Sequence, residues 1–127
     1  METKEQLRKR LNEIQWKVTQ ESGTERPFTH PYTDLSEKGR YFCIVCSALL
    51  FASNHKFHSG CGWPAFSDSD FKENIREIQD LSHGMERVEV RCKSCDAHLG
   101  HVFEDGPRPT GIRYCINGAS LNFIKDS

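Results

Sequence analysis

The sequence lacks the features that would carry it into a membrane, onto nucleic acid or along a secretory route. No apolar run approaches the roughly 18 residues a membrane-spanning helix needs. Neither sign of charge is in excess, 17 Lys+Arg standing against 18 Asp+Glu, so there is no strong field to steer the chain onto nucleic acid or anionic lipid. The opening Met-Glu-Thr-Lys-Glu-Gln is charged and no apolar segment follows it, so no signal peptide is expected. There is also no Asn-x-Ser/Thr acceptor site, no internal repeat and no low-complexity stretch. A reducing, cytoplasmic setting is the expectation, without membrane or nucleic-acid partners, and nothing suggests more than a monomer. Apolar residues are modest too, at 36% of 127 residues. One domain spanning residues 1–127 is expected, with an adequate core that a structural metal would help.

Local patterns place the elements. Thr3 and Gln6 form a capping-box pattern, and Leu7, Leu11 and Ile14 follow at helical spacing, which predicts one helix from about residue 4 to 15. This helix and an arm take up residues 1–20 and lie as a lid over the core. From Gln20 to Pro31 the chain is polar, with Pro27 and Pro31, and reads as an extended surface arm. A β core is expected over residues 39–125. Arg40–Ile44 and Ala48–Phe51 are short strand-like runs. Arg87-Val88-Glu89-Val90-Arg91 alternates and reads as a half-buried strand. Ile112–Ile116 and Ala119–Phe123 read as late strands, either separate or one strand kinked at Gly118. The fold class is therefore mainly β and antiparallel.

Six cysteines need a reason. Cys43 and Cys46 form one Cys-x-x-Cys pair, Cys92 and Cys95 a second, and Cys61 and Cys115 stand alone. A two-residue gap suits neighbouring ligands on one metal, and four thiolates make a closed tetrahedral site with no position left for substrate. Zinc suits that set and iron could replace it. The competing reading, a redox Cys-x-x-Cys, usually involves one pair leading into a helix, and neither pair here does so.

The chemistry then falls to the remaining pair. In Gly111–Gly118, period two puts Arg113, Cys115 and Asn117 on one face and Tyr114 and Ile116 on the other. Arg113 would favour a Cys115 thiolate, and Asn117 could donate to a nearby polar atom. Buried free cysteines are common, so Cys115 alone could be an inert core thiol. Cys61 shifts the balance. It lies in a Gly-flanked loop, where a thiol can move and condense with a sulfenic acid. The same loop carries Trp63-Pro64, a large apolar face on a rigid turn. His98 and His101, with an acid nearby, are candidate proton donors, because the metal set is already complete. His30, His55, His58 and His83 have no comparable context and read as surface or structural groups.

Taken together, Gly23–Phe28, Ser59–Phe66, His98–Phe103, Arg113–Asn117 and both Cys-x-x-Cys pairs resemble the B-type methionine sulfoxide reductases. The resemblance covers nearly the whole chain beyond the first helix, with Gly118 standing where many members have Ser. It implies two small antiparallel sheets, with structural zinc on Cys43, Cys46, Cys92 and Cys95 on the side away from the active site. It implies reduction of the R epimer of methionine sulfoxide in oxidised proteins, with Cys115 as nucleophile and Cys61 as the recycling cysteine. A Cys61–Cys115 disulfide would be returned to thiols by an external dithiol such as thioredoxin. The resemblance also places Trp63, His98, His101, Phe103, Arg113 and Asn117 in the substrate pocket. His101 is then the expected proton donor with His98 assisting, Asp105 orients one ring, and Trp63 and Phe103 pack on the methyl group.

Overall fold

The computed structural model describes residues 3–81, 84 and 86–126; His83 lies outside them. Its N-terminal region holds two helices where the periodicity predicts one. α1 spans Lys4–Arg10 under the Thr3–Gln6 capping box, and α2 spans Glu13–Gln20. The break has a local cause. Asn12 and Gln15 form a second capping box, with Asn12 Oδ1 accepting from Gln15 N and Gln15 Oε1 accepting from Asn12 N, and this competes with continuing the helix. Leu7, Leu11 and Val18 are buried under the pair, while Ile14 is left exposed. Gln20 therefore ends α2, and the arm begins after it.

The core is two antiparallel sheets, as expected. The smaller has the order β2-β1-β9, with β1 at Gly39–Cys43, β2 at Leu49–Ala52 and β9 at Leu121–Lys125. The larger has the order β3-β4-β8-β7-β6-β5, with β3 at Lys56–Phe57, β4 at Ala65–Phe66, β5 at Ile75–Asp80, β6 at Arg87–Cys92, β7 at His98–Phe103 and β8 at Arg113–Ile116. Between the sheets sits an aromatic core in which Phe51 and Phe66 stack at 4.4 Å and Tyr41 and Tyr114 are buried. Tyr114 and Ile116 point into this core, as period two requires, which turns Arg113 and Cys115 to the opposite face. A 3-10 turn at Gly118–Ser120 separates β8 from β9, so the late strands are distinct.

Each Cys-x-x-Cys pair forms the same knuckle. Ser47 N donates to Cys43 O and Cys43 N to Ala48 O; Asp96 N donates to Cys92 O and Cys92 N to Ala97 O. Ser47 and Asp96 both adopt positive φ, at 66° and 65°. One knuckle closes the β1–β2 hairpin of the small sheet and the other the β6–β7 hairpin of the large sheet. A metal held by both ties the two sheets together.

Candidate active site and metal centre

The four knuckle sulfurs lie within 4.8 Å of one another. Cys43 Sγ is 3.6 Å from Cys95 Sγ, and Cys46 Sγ is 3.5 Å from Cys92 Sγ. Sulfurs placed ~2.3 Å from a tetrahedral metal are about 3.8 Å apart, so the spacing and donor set of these four residues suit such an ion. Arg10 closes the site from α1, donating to Ile44 O and Val45 O at 2.9 Å each. A broad cavity beside the knuckles, lined in part by Leu7, Arg10, Cys46 and Cys95, contains none of the candidate reactive groups.

Those groups gather around a separate cavity of about 250 Å³, whose wall includes Cys61, Trp63, His101, Phe103, Arg113, Cys115 and Asn117, whereas His98 lines an adjoining one. The sheet register assembles most of it. Across the large sheet, Cys115 pairs with Ala65 on one side and His101 on the other, and His101 pairs with Glu89. His98 reaches the same face through a bulge. The register slips between Val90 and Arg91, so that Val90 faces Gly100 while Arg91 faces His98. Without that extra residue, His98 and His101 would point to opposite faces; with it, their rings are 5.7 Å apart. Gly100 must be glycine here, because a Cβ would strike the carbonyl of Cys115.

Cys61 comes from the loop before β4, and its Sγ lies 3.3 Å from Cys115 Sγ. The loop turns through Gly60 and Gly62, both at positive φ, and the arm grips it where Phe28 N donates to Gly62 O at 2.7 Å. Trp63 is fixed by its indole N–H donating to Glu25 O at 3.0 Å. Arg113 lies over the Phe103 ring at 4.4 Å and makes a two-pronged bond to Asp105, at 2.8 and 3.0 Å. The expectation that Asp105 orients a histidine is thus corrected: its carboxylate is taken by Arg113. The histidines have other partners. His98 Nδ1 is 2.6 Å from Glu89 Oε2, and His101 Nε2 is 2.9 Å from Asp80 Oδ2. Asn117 Oδ1 accepts from Glu25 N, and its Nδ2 donates to Leu99 O at 2.9 Å, which fixes its amide and leaves one N–H over.

The electrostatics refine the role expected for Arg113. The hydrogen bond between the two sulfurs holds Cys61 down at about 5 against the opposing effect of burial. The same bond, with burial, pushes Cys115 well above the usual thiol range, and the pull of Arg113 on Cys115 is outweighed. With the loop seated, these two directions make Cys61 the more readily ionised thiol of the pair. Iodoacetamide should label Cys61 before Cys115 in metal-loaded protein. Because a depressed pKa keeps the thiolate populated above it, the labelling rate should hold down to about pH 6 and fall as the pH passes through about 5. Peptide mapping across that range checks the outcome, and first labelling at Cys115 would contradict it.

His98 is buried, which lowers its pKa against the raising effect of Glu89. Burial opposes ionisation of Glu89, yet bonds from Arg91 and His98 hold its carboxyl below the usual range. Glu25, only 3% exposed, gives its carboxylate to Gly118 N and Ala119 N. Of the remaining histidines, His30 caps a 3-10 turn through Tyr32 N and His55 pairs with Asp70; neither lines the cavity. Glu25, Asp80, Arg87 and Glu89 were not singled out from sequence. Only Glu89 had a local signal, as the acid on an alternating strand whose neighbour carries two histidines.

Residues 11–125 match the SelR domain family. Similar proteins include the peptide methionine sulfoxide reductase MsrB of Escherichia coli strain K12 / DH10B and that of strain O157:H7 EC4115. Each is 57% identical over 119 residues, covering 94% of this chain and 87% of the relative. The chain belongs to the SelR domain family, alongside the MsrB peptide methionine sulfoxide reductases.

Proposed function

We propose that this protein is a peptide-methionine (R)-S-oxide reductase in which Cys115 is the nucleophile and Cys61 the resolving thiol. The observation that carries the reading is the 3.3 Å approach of Cys61 Sγ and Cys115 Sγ in the wall of a cavity that also presents Trp63, Phe103, Arg113 and His101. Such a cavity suits one methyl sulfoxide side chain: Trp63 and Phe103 meet the methyl group, and the polar groups meet the oxygen.

Substrate entering the cavity separates the two thiols. With Cys61 withdrawn, Arg113 is the charge acting on Cys115 and favours its thiolate. That thiolate attacks the sulfoxide sulfur, and the oxygen takes up a proton as it gains charge. His101 is the donor nearest Cys115 in the register, with His98 behind it. The sulfur–oxygen bond breaks, methionine leaves, and the oxygen remains on Cys115 as a sulfenic acid. Cys61 then attacks that sulfur, expelling water and forming the Cys61–Cys115 disulfide. A thioredoxin-class dithiol reduces the disulfide by exchange. Asn117 holds the Cys115 strand end against Leu99 and Glu25 and keeps one N–H for substrate.

Zinc is the metal proposed for Cys43, Cys46, Cys92 and Cys95. A four-thiolate ion has no open position, so it contributes folding rather than chemistry. No helix among the described residues is long and apolar enough to cross a membrane, and a reducing cytoplasm fits six free thiols. We take the working form to be a monomer, acting on oxidised proteins.

The test is turnover of separated R and S epimers of a blocked methionine sulfoxide with dithiothreitol as reductant. Methionine from the R epimer alone is expected. No product from either epimer by folded, zinc-loaded protein would overturn the reading, and insulin reduction in its place would point to a thiol–disulfide oxidoreductase.

A further inference from the structure

Beside the substrate cavity lies a polar one of about 260 Å³, lined by Asp80, Arg87, Glu89, His98 and His101 among others. The two share Thr24, Arg87 and His101, so His101 stands in the wall between them. Each imidazole faces a carboxylate, His98 through Nδ1 to Glu89 on the adjacent β6 and His101 through Nε2 to Asp80 on β5, two strands away. The carboxylates are themselves held, Glu89 by Arg91 at 2.9 Å and Asp80 by Arg87 at 3.3 Å. An ionised carboxylate only accepts, so in the neutral rings it places the proton on His98 Nδ1 and His101 Nε2. The nitrogens left to exchange protons are His98 Nε2 and His101 Nδ1.

Two atoms of this lining are stranded. His98 Nε2 and Arg87 Nε are buried without a hydrogen-bond partner among the described residues, and His98 is only 2% exposed. Buried polar atoms are rarely left unpaired, and a roomy polar cavity is where water satisfies them. The orphaned pair, the shared wall and the two carboxylate–imidazole contacts thus converge on one space.

We propose that Asp80 and Glu89 are positioning residues that lock the tautomers of His101 and His98, making the polar cavity a water-filled proton-relay chamber for the sulfoxide oxygen. The proposal rests on the reductase reading above. In the relay, the proton lost by the Cys115 thiol reaches His101 Nδ1 through the chamber water, and His101 passes it on to the oxygen as that atom moves from the substrate sulfur to Cys115. His98 Nε2 is a second site that can hold the proton in transit. Protons balance within the step, and no electrons pass through the relay.

The first test is the tautomeric state of the reduced, zinc-loaded full chain labelled with 15N-histidine. The Nδ1–H form of His98 and the Nε2–H form of His101 are expected; the opposite form of either ring, or free exchange between forms, would overturn the proposal. This readout needs no turnover. Failure of the reductase reading shows separately, as wild-type protein that makes no methionine. The kinetic arm compares Asp80→Asn and Glu89→Gln with wild type at equal zinc content. Oxidation of Cys115 by an R-sulfoxide peptide should slow at least about tenfold, a share of the ~10²–10⁴ that a placed proton donor supplies, with KM changed less than about twofold. Asp80→Glu, which returns the carboxylate, should recover part of the rate. Wild-type rates in both amide variants would overturn the proposal. If Asp80→Asn cannot hold zinc, Glu89→Gln and the wild-type tautomers still decide.

Discussion

Cys115→Ser should make no methionine at all, even when protein is in excess over substrate, whereas Cys61→Ser should make about one methionine per chain and then stop when thioredoxin is the only reductant. The asymmetry follows from where the thiols stand. Cys115 is on β8, opposite His101 and one strand from Ala65, so its sulfur is presented by rigid sheet. Cys61 is on a loop that turns through Gly60 and Gly62, and the proposed mechanism has its thiol withdraw while substrate binds and return afterwards. A serine hydroxyl is a far weaker nucleophile than a thiolate and cannot take up the oxygen as a sulfenic acid. Loss should therefore reach the uncatalysed background, a fall of at least about 10³-fold. In Cys61→Ser the first transfer survives, and Cys115 loses the neighbour that pushes it above the usual thiol range. Methionine counted per chain, with and without thioredoxin, measures both effects. Equal thioredoxin-driven turnover by wild type and Cys61→Ser would end the resolving role.

Stripping the metal should cost the domain its fold. Cys43 and Cys92 are 1% and 0% exposed, and the two knuckles belong to different sheets. Without the ion, four thiols are crowded within 4.8 Å with nothing to hold them there. Structural zinc in a four-ligand site is worth roughly 10–16 kcal/mol, against about 5–15 kcal/mol for the net stability of a whole domain. A strong chelator, or Cys92→Ser, should therefore abolish the cooperative melting transition rather than merely lower its midpoint. Circular dichroism before and after chelation reads this, and metal analysis of the untreated protein should find one zinc per chain. An apo protein that melts like the native one would show that the thiol cluster is ornamental to the fold.

How much of this was readable beforehand depended on how local each signal is. The knuckles were legible because Cys-x-x-Cys fixes its own turn. The two faces of β8 were legible because strand alternation is strict: Tyr114 and Ile116 went to the core, and Arg113 and Cys115 did not. The N-terminal helix was misjudged as one piece because apolar spacing at Leu7, Leu11 and Ile14 hid the second capping box at Asn12. The partners of the histidines were invisible for a different reason. Asp80 sits at the end of β5, two strands from His101, and only the β5-β6-β7 order brings it within 2.9 Å. Asp105, nearer in sequence, looked the better candidate but is bound by Arg113. The bulge that turns His98 and His101 to one face leaves no mark in composition. Glu25 is similar: its carboxylate reaches across 93 positions to Gly118.

The central claim is that oxygen passes from a methionine R-sulfoxide to Cys115 and that Cys61 then closes on it. One single-turnover experiment tests this most directly: reduced, zinc-loaded wild-type protein is mixed with an R-sulfoxide peptide and no other reductant, and methionine and disulfides are quantified by peptide mapping. The account predicts one methionine per chain, matched by one new Cys61–Cys115 disulfide, and neither with the S epimer. Methionine without that disulfide, a disulfide drawn from the knuckle cysteines, or no methionine at all would contradict it.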